Sequence, residues 1–223
     1  MRGGIFIGTK HKEVMSALLK KRIGILGGTF NPVHIGHLIL AQDAMEAFEL
    51  SKMLFVPCDR PPHKEASSLI STEHRVAMLE LALEENMSAE ICDLEIIRGG
   101  TTYSVDTVRK LNDLYPDHEL LFVIGSDTLP ELYQWKDINE LLKLCRFVTI
   151  CRPGFALKAM TEKDLKLDSP WPRVLLQNVF IGHQIDVSSS DIRHRIAEGM
   201  SIRYLVPAAV EMYIAEHSLH TMV

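Results

Sequence analysis

Two histidines, His34 and His37, stand three residues apart in the stretch Gly-Gly-Thr-Phe-Asn-Pro-Val-His-Ile-Gly-His-Leu, residues 27–38. Imidazoles can ligate a metal, move a proton or hold an anion. The zinc reading fits poorly. A catalytic zinc helix spaces its histidines i, i+4 with a glutamate between, whereas this spacing is i, i+3 with none. An apolar run, Ile23 to Leu26, leads into Gly27 and Gly28, and glycine lets a backbone come close to a ligand. Asn31 suits a helix cap and Pro32 the first helical position, so the pattern predicts a helix from Pro32 to about Phe48. The first amides of such a helix lack intrahelical partners and sit at the positive end of its dipole, which makes them an anion site. His34 then falls in the first turn, His37 lies on the same face, and Gly36 leaves room for a ligand between them. Together these features point to phosphate. The plainer alternative is a pair of satisfied or solvent-facing histidines. The spacing matches neither the P-loop nor the dinucleotide-binding glycine pattern.

The stretch Val-Ser-Ser-Ser-Asp-Ile-Arg-His-Arg, residues 187–195, repeats this logic. Ser188 and Asp191 have capping-box spacing, and Ser189 or Ser190 could cap the helix. Arg193 lies one turn on and can reach back over the helix start. Hydroxyls, amides and a guanidinium form a polyphosphate clamp. The plainer alternative is a capped helix with a surface arginine. Both anion sites could serve one ligand.

These stretches need a scaffold, and the pattern supplies one. Apolar runs at residues 22–26, 52–57, 89–97, 119–125, 146–154 and 179–183 read as strands. Helical patterns at 71–85, 99–116, 138–144, 188–199 and 207–217 alternate with them, and 154–178 reads as a long loop. Strands apolar throughout and alternating with helices predict a Rossmann-like, doubly wound parallel sheet in one α/β domain, residues 21–223, with a small C-terminal helical portion. Such sheets bind ligands at the carboxyl ends of their strands. Residues 1–20 read as an N-terminal extension without an assigned role. The chain has 223 residues, a net charge of −5 and 47% hydrophobic residues. That balance gives no global basic field for nucleic acid. No apolar run reaches membrane-span length, and no secretory signal stands out. Four cysteines without a C-x-x-C pair read as reduced thiols rather than a disulfide framework. The expectation is a soluble cytoplasmic protein, with homo-oligomer formation left open.

The segments Gly-Gly-Thr-Phe-Asn-Pro-Val-His-Ile-Gly-His-Leu and Ser-Ser-Ser-Asp-Ile-Arg resemble the two signatures of the nucleotidyltransferase superfamily with the His-x-Gly-His motif. Within it the chain is most similar to the bacterial nicotinate-mononucleotide adenylyltransferases. Residues 61–64 (Pro-Pro-His-Lys), 101–107, 125–142 and 151–154 add to the likeness, which runs from about Arg22 to the last helix. Ser190 stands where threonine is common, which keeps a hydroxyl.

That resemblance implies adenylyl transfer from ATP to nicotinate mononucleotide, giving deamido-NAD and pyrophosphate, with Mg²⁺ arriving on ATP and no protein-held metal. It implies that Gly27, Gly28, Thr29 and Phe30 bring backbone to the nucleotide, and that His34, His37 and Arg193 are catalytic donors to the phosphates. Ser189 and Ser190 would hold the triphosphate beside Arg193. Gly125, Ser126 and Asp127 would meet the ribose, and Arg152 the adenine side. Asn31, His63, Lys64, Thr101, Thr102, Tyr103 and Trp135 would form the acceptor side, with Trp135 as a platform for the pyridine ring. Because the attacking phosphate is already an anion, alignment and charge stabilisation suffice, and no protein nucleophile is needed. Two alternatives stand: nicotinamide mononucleotide as the acceptor, and a non-catalytic nucleotide-binding module on the same fold.

Overall fold

The computed structural model describes residues 21–60, 69–151 and 160–221. The 1–20 extension and the candidates His63, Lys64 and Arg152 lie outside the described residues. Six parallel strands form one sheet in the order β3-β2-β1-β4-β5-β6. They are β1 (Lys21–Gly28), β2 (Leu50–Pro57), β3 (Ala89–Ile91), β4 (His118–Gly125), β5 (Arg146–Ile150) and β6 (Val179–Phe180). The chain winds outward from β1 to β3, then crosses back to β4 and winds outward the other way. The expected doubly wound α/β sheet is therefore the observed one. Its reversal point lies between β1 and β4, where such sheets open a crevice at the strands' carboxyl ends.

Period-two alternation fills both faces. Leu26, Met53, Phe55, Leu121, Val123 and Val148 face one core, with α1 (Ile35–Ala47), α2 (Thr72–Leu83), α7 (Ser189–Ala197) and α8 (Ala208–Glu216). Ile23, Ile25, Leu54, Val56, Phe122 and Phe147 face the other, with α4 (Ser104–Leu114), α5 (Ile138–Leu144) and α6 (Trp171–Gln177). Side chains on a strand point to opposite faces in turn, so an uninterrupted apolar run is what a sheet covered on both sides requires. Gly24 belongs to the first face, where a Cβ would stand 2.7 Å from Leu50 and Met53. Among the described residues no helix is long and apolar enough to cross a membrane.

Four expected elements differ from the observed ones. The predicted strand at 89–97 stops at Ile91, and α3 (Leu94–Arg98) follows, because the chain turns there to bury Glu95 against Thr107. The predicted 179–183 strand stops at Phe180, after which His183 gives its amide to the Asp43 carboxylate at 2.7 Å. Within the expected 154–178 loop, α6 forms at Trp171, with Pro172 in the first turn, where a missing N–H costs little. Finally, α1 begins at Ile35 rather than Pro32, and its cap is His34 rather than Asn31. The carbonyls of Asn31 and Pro32 are taken by side chains of the distant serine–arginine segment, so they are not available to start a helix.

Candidate active site

The glycine–histidine segment is shaped by packing before any ligand is considered. Phe30 adopts a left-handed backbone, φ 46°, and its ring is buried edge-on to His37 at 5.1 Å. Gly28 leaves room for that ring, since a Cβ there would stand a tight 3.1 Å from it. Phe30 therefore supports the site from within. Gly36 serves a similar purpose: a Cβ would meet the His34 imidazole at 3.0 Å. The space expected to be left for a ligand is thus filled by His34 itself, which is buried.

The amides at the start of α1 are also more occupied than the sequence implies. Ile35 N–H donates to the Leu205 carbonyl at 3.0 Å, and His37 N–H to the His34 carbonyl at 2.9 Å. The His34 amide donates to His37 Nδ1 at 3.3 Å. That bond has a chemical consequence. A ring nitrogen accepting at Nδ1 carries its proton on Nε2, so His37 presents an N–H donor on its far edge. The two imidazoles lie 3.7 Å apart, tilted by 31°. His37 lines the cavity described below.

The serine–arginine segment meets this one directly. Ser188 caps α7, its Oγ accepting from Asp191 N–H at 3.1 Å, rather than Ser189 or Ser190. Ser189 is thereby released to donate its hydroxyl proton to the Pro32 carbonyl at 2.9 Å. Arg193 donates to the Asn31 carbonyl at 2.9 Å and to Ser190 Oγ at 3.2 Å. Its partial burial pushes the guanidinium below its ordinary pKa. Both phosphate-type segments thus form one surface.

A cavity of about 660 Å³ opens beside them, between the ends of β1 and β4. Gly27, Gly28, His37, Gly125 and Asp127 border it on the nucleotide-type side, and Thr102, Tyr103 and Trp135 on the far side. Half-buried Trp135 stands edge-on to Phe122 at 5.7 Å. Ser126 is fully buried and does not line the cavity, and neither do exposed Thr101 and buried Asn31.

The Cytidylyltransferase-like family model matches residues 25–195. A probable nicotinate-nucleotide adenylyltransferase of Desulfitobacterium hafniense is 42% identical over 202 residues, 90% of this chain and 96% of that one. Another from Shouchella clausii is 42% identical over 200 residues, 90% and 97% of the two chains. This chain belongs to the nicotinate-nucleotide adenylyltransferase family. The fold agrees: the Plasmodium falciparum nicotinic acid mononucleotide adenylyltransferase complexed with NaAD superposes with a TM-score of 0.71 at 19% identity, covering 90% of this chain and 97% of that one.

Some groups bordering this cavity carry no sequence signature. Glu95, buried, lines the cavity and accepts from the Thr107 hydroxyl at 2.6 Å. Lys136 lines the same wall, its ammonium 4.2 Å from the centre of the Tyr103 ring. Arg75 lies buried behind the loops. Its signal was available, since a charged residue there shares the helical stripe of Met78 and Leu79. Burial pushes the Cys145 thiol up to about 12, which leaves it inert.

Proposed function

We propose that this chain transfers the adenylyl group of ATP to the 5′-phosphate of nicotinate mononucleotide, releasing pyrophosphate and forming nicotinate adenine dinucleotide. Family membership supports the reaction, and the observation that carries its assignment to this surface is the joining of the two phosphate-type segments. Arg193 reaches the Asn31 carbonyl within the histidine segment, beside a cavity of about 660 Å³ large enough for the acceptor.

The step is a displacement at the α-phosphorus. A phosphate oxygen of the mononucleotide forms the new P–O bond as the bond to the β-phosphate bridging oxygen breaks, and pyrophosphate takes the electron pair. The nucleophile is already anionic, so the chain's residues align and stabilise charge. His37 Nε2–H donates to an oxygen of the reacting phosphate. Arg193, Ser190 and the first amides of α7 hold the departing pyrophosphate. Asp127 accepts from ribose hydroxyls. The groups facing the phosphates are N–H and O–H donors, which suit phosphate oxygens rather than a metal. Polyphosphate charge would be neutralised further by Mg²⁺ brought with ATP. Among the described residues no group of three or more His, Cys, Asp or Glu could hold a metal ion.

On the acceptor side, Trp135 offers the pyridine ring a platform, and the turn at Thr102–Tyr103 with neighbouring Lys136 favours the acid over the amide. Incubation with ATP, Mg²⁺ and either mononucleotide tests the assignment. Dinucleotide and pyrophosphate are expected, with a higher kcat/KM for nicotinate mononucleotide. No dinucleotide from either acceptor would reject the reaction, and preference for the amide would reject the acceptor.

A further inference from the structure

Arg75 is 1% exposed, yet among the described residues the bonds it makes are with neutral groups. A guanidinium has five N–H donors, and every one is used. Nε donates to the Ile70 carbonyl at 3.4 Å. Nη1 donates to the carbonyls of Thr29 at 2.9 Å and Cys58 at 2.7 Å. Nη2 donates to the Asp59 carbonyl at 3.1 Å and to Thr72 Oγ1 at 2.8 Å. The Thr72 hydroxyl passes its own proton to Asp59 Oδ1 at 2.9 Å, and Asp59 Oδ2 accepts the Gly100 amide at 2.9 Å. Donation runs from Arg75 through Thr72 to Asp59, and from Gly100 to the same carboxylate, with each proton used once.

This network joins three loops at the sheet's carboxyl edge. Thr29 follows β1, Cys58 and Asp59 follow β2, and Gly100 opens the turn that carries Thr102 and Tyr103 to the cavity wall. Gly100 has φ 72°, and a Cβ on it would meet nothing within 4 Å, so side-chain packing does not fix the backbone at Gly100 itself. Polar links do: the Gly100 amide on Asp59, and the Thr102 amide on the Arg60 carbonyl at 3.3 Å. Both anchors are neighbours on the loop after β2. Asp59 does not line the cavity.

We propose that Asp59 is a positioning residue for the acceptor: braced by Thr72 and Arg75, its carboxylate sets the Gly100–Tyr103 turn that receives the mononucleotide. The inference rests on the acceptor role assigned to that turn under Proposed function. An amide at position 59 accepts through one atom only, so Asp59→Asn cannot accept from both the Thr72 hydroxyl and the Gly100 amide. The turn then shifts, while Arg193 keeps its bonds to Asn31 and Ser190.

The test is steady-state kinetics of the full chain, varying ATP and nicotinate mononucleotide separately, with thermal unfolding recorded for each variant. For Asp59→Asn the acceptor KM should rise at least about tenfold, with kcat and the ATP KM within about threefold of wild type. Thr72→Val, which removes the middle hydroxyl and spares the carboxylate, should raise the acceptor KM in the same direction by a smaller factor. An unchanged acceptor KM in both folded variants, or equal rises for the two substrates, would overturn the positioning role. Wild-type protein that makes no dinucleotide would instead overturn the proposed function, and this inference with it.

Discussion

The two ends of the cavity are built by different means. At the phosphate end, two segments more than a hundred residues apart in sequence lock together by hydrogen bonds to main-chain carbonyls. Ser189 holds Pro32 at 2.9 Å and Arg193 holds Asn31 at 2.9 Å. Glycines there leave room for neighbouring rings. At the acceptor end the wall combines the rings of Tyr103 and Trp135 with Thr102, Glu95 and Lys136, and in the proposed scheme it is positioned from behind by Asp59, Thr72 and Arg75. The contrast suits the chemistry. Charge develops at the phosphate end, where donors must be fixed in advance. Recognition of a ring at the other end depends on area and shape, which a braced turn and a tryptophan can supply.

If that division holds, substitutions at each end should separate kcat from acceptor KM. The largest effect is expected from His37→Ala, with kcat falling at least about two orders of magnitude while the circular dichroism spectrum stays native. Near-normal turnover would remove His37 from its role. Gly36→Ala sharpens the point, because its Cβ would press on the His34 ring at 3.0 Å. About a tenfold loss of kcat is expected, with the acceptor KM unchanged. A selective acceptor effect would mean that the space at Gly36 belongs to a ligand after all.

Trp135→Ala should raise the acceptor KM about tenfold, roughly 1.4 kcal/mol, and leave the ATP KM alone. Equal changes in both would count against a ring platform.

The smallest effect is a pH dependence of stability at the sheet edge. His183 Nδ1 lies 2.6 Å from the buried Asp43 carboxylate, which raises the histidine's pKa above its ordinary 6.5. Stability from this pair is therefore fully present below about 6.5 and fades as pH rises through the raised folded value. Urea unfolding should show Asp43→Asn losing more stability at pH 6 than at pH 9. A loss that grows with pH would contradict the sign.

Most of the sheet is legible in the sequence because β1, β2, β4 and β5 are buried on both faces and leave continuous apolar runs. The edge strands are harder to read. β3 and β6 are cut short by bonds of Glu95 to Thr107 and His183 to Asp43, which no local pattern reveals. At the site, His37 and Arg193 are legible because phosphate chemistry is carried by short motifs. Asn31 is misread as a cap because its carbonyl is claimed by an arginine 162 residues away. Arg75 and Asp59 escape notice for a related reason. Arg75 shares the apolar stripe of Met78 and Leu79, which marks it as buried, but its partners are mainly main-chain carbonyls that leave no trace in residue type; Asp59 is held by Thr72 and Gly100 from other segments.

The central claim is direct displacement at the α-phosphorus, with the chain aligning charge and contributing no nucleophile. The most direct measurement is the stereochemical course with a single diastereomer of ATP carrying sulfur on the α-phosphorus, read by phosphorus NMR of the dinucleotide. One in-line displacement predicts inversion of configuration. Retention would require two displacements through an adenylylated residue and would contradict the account.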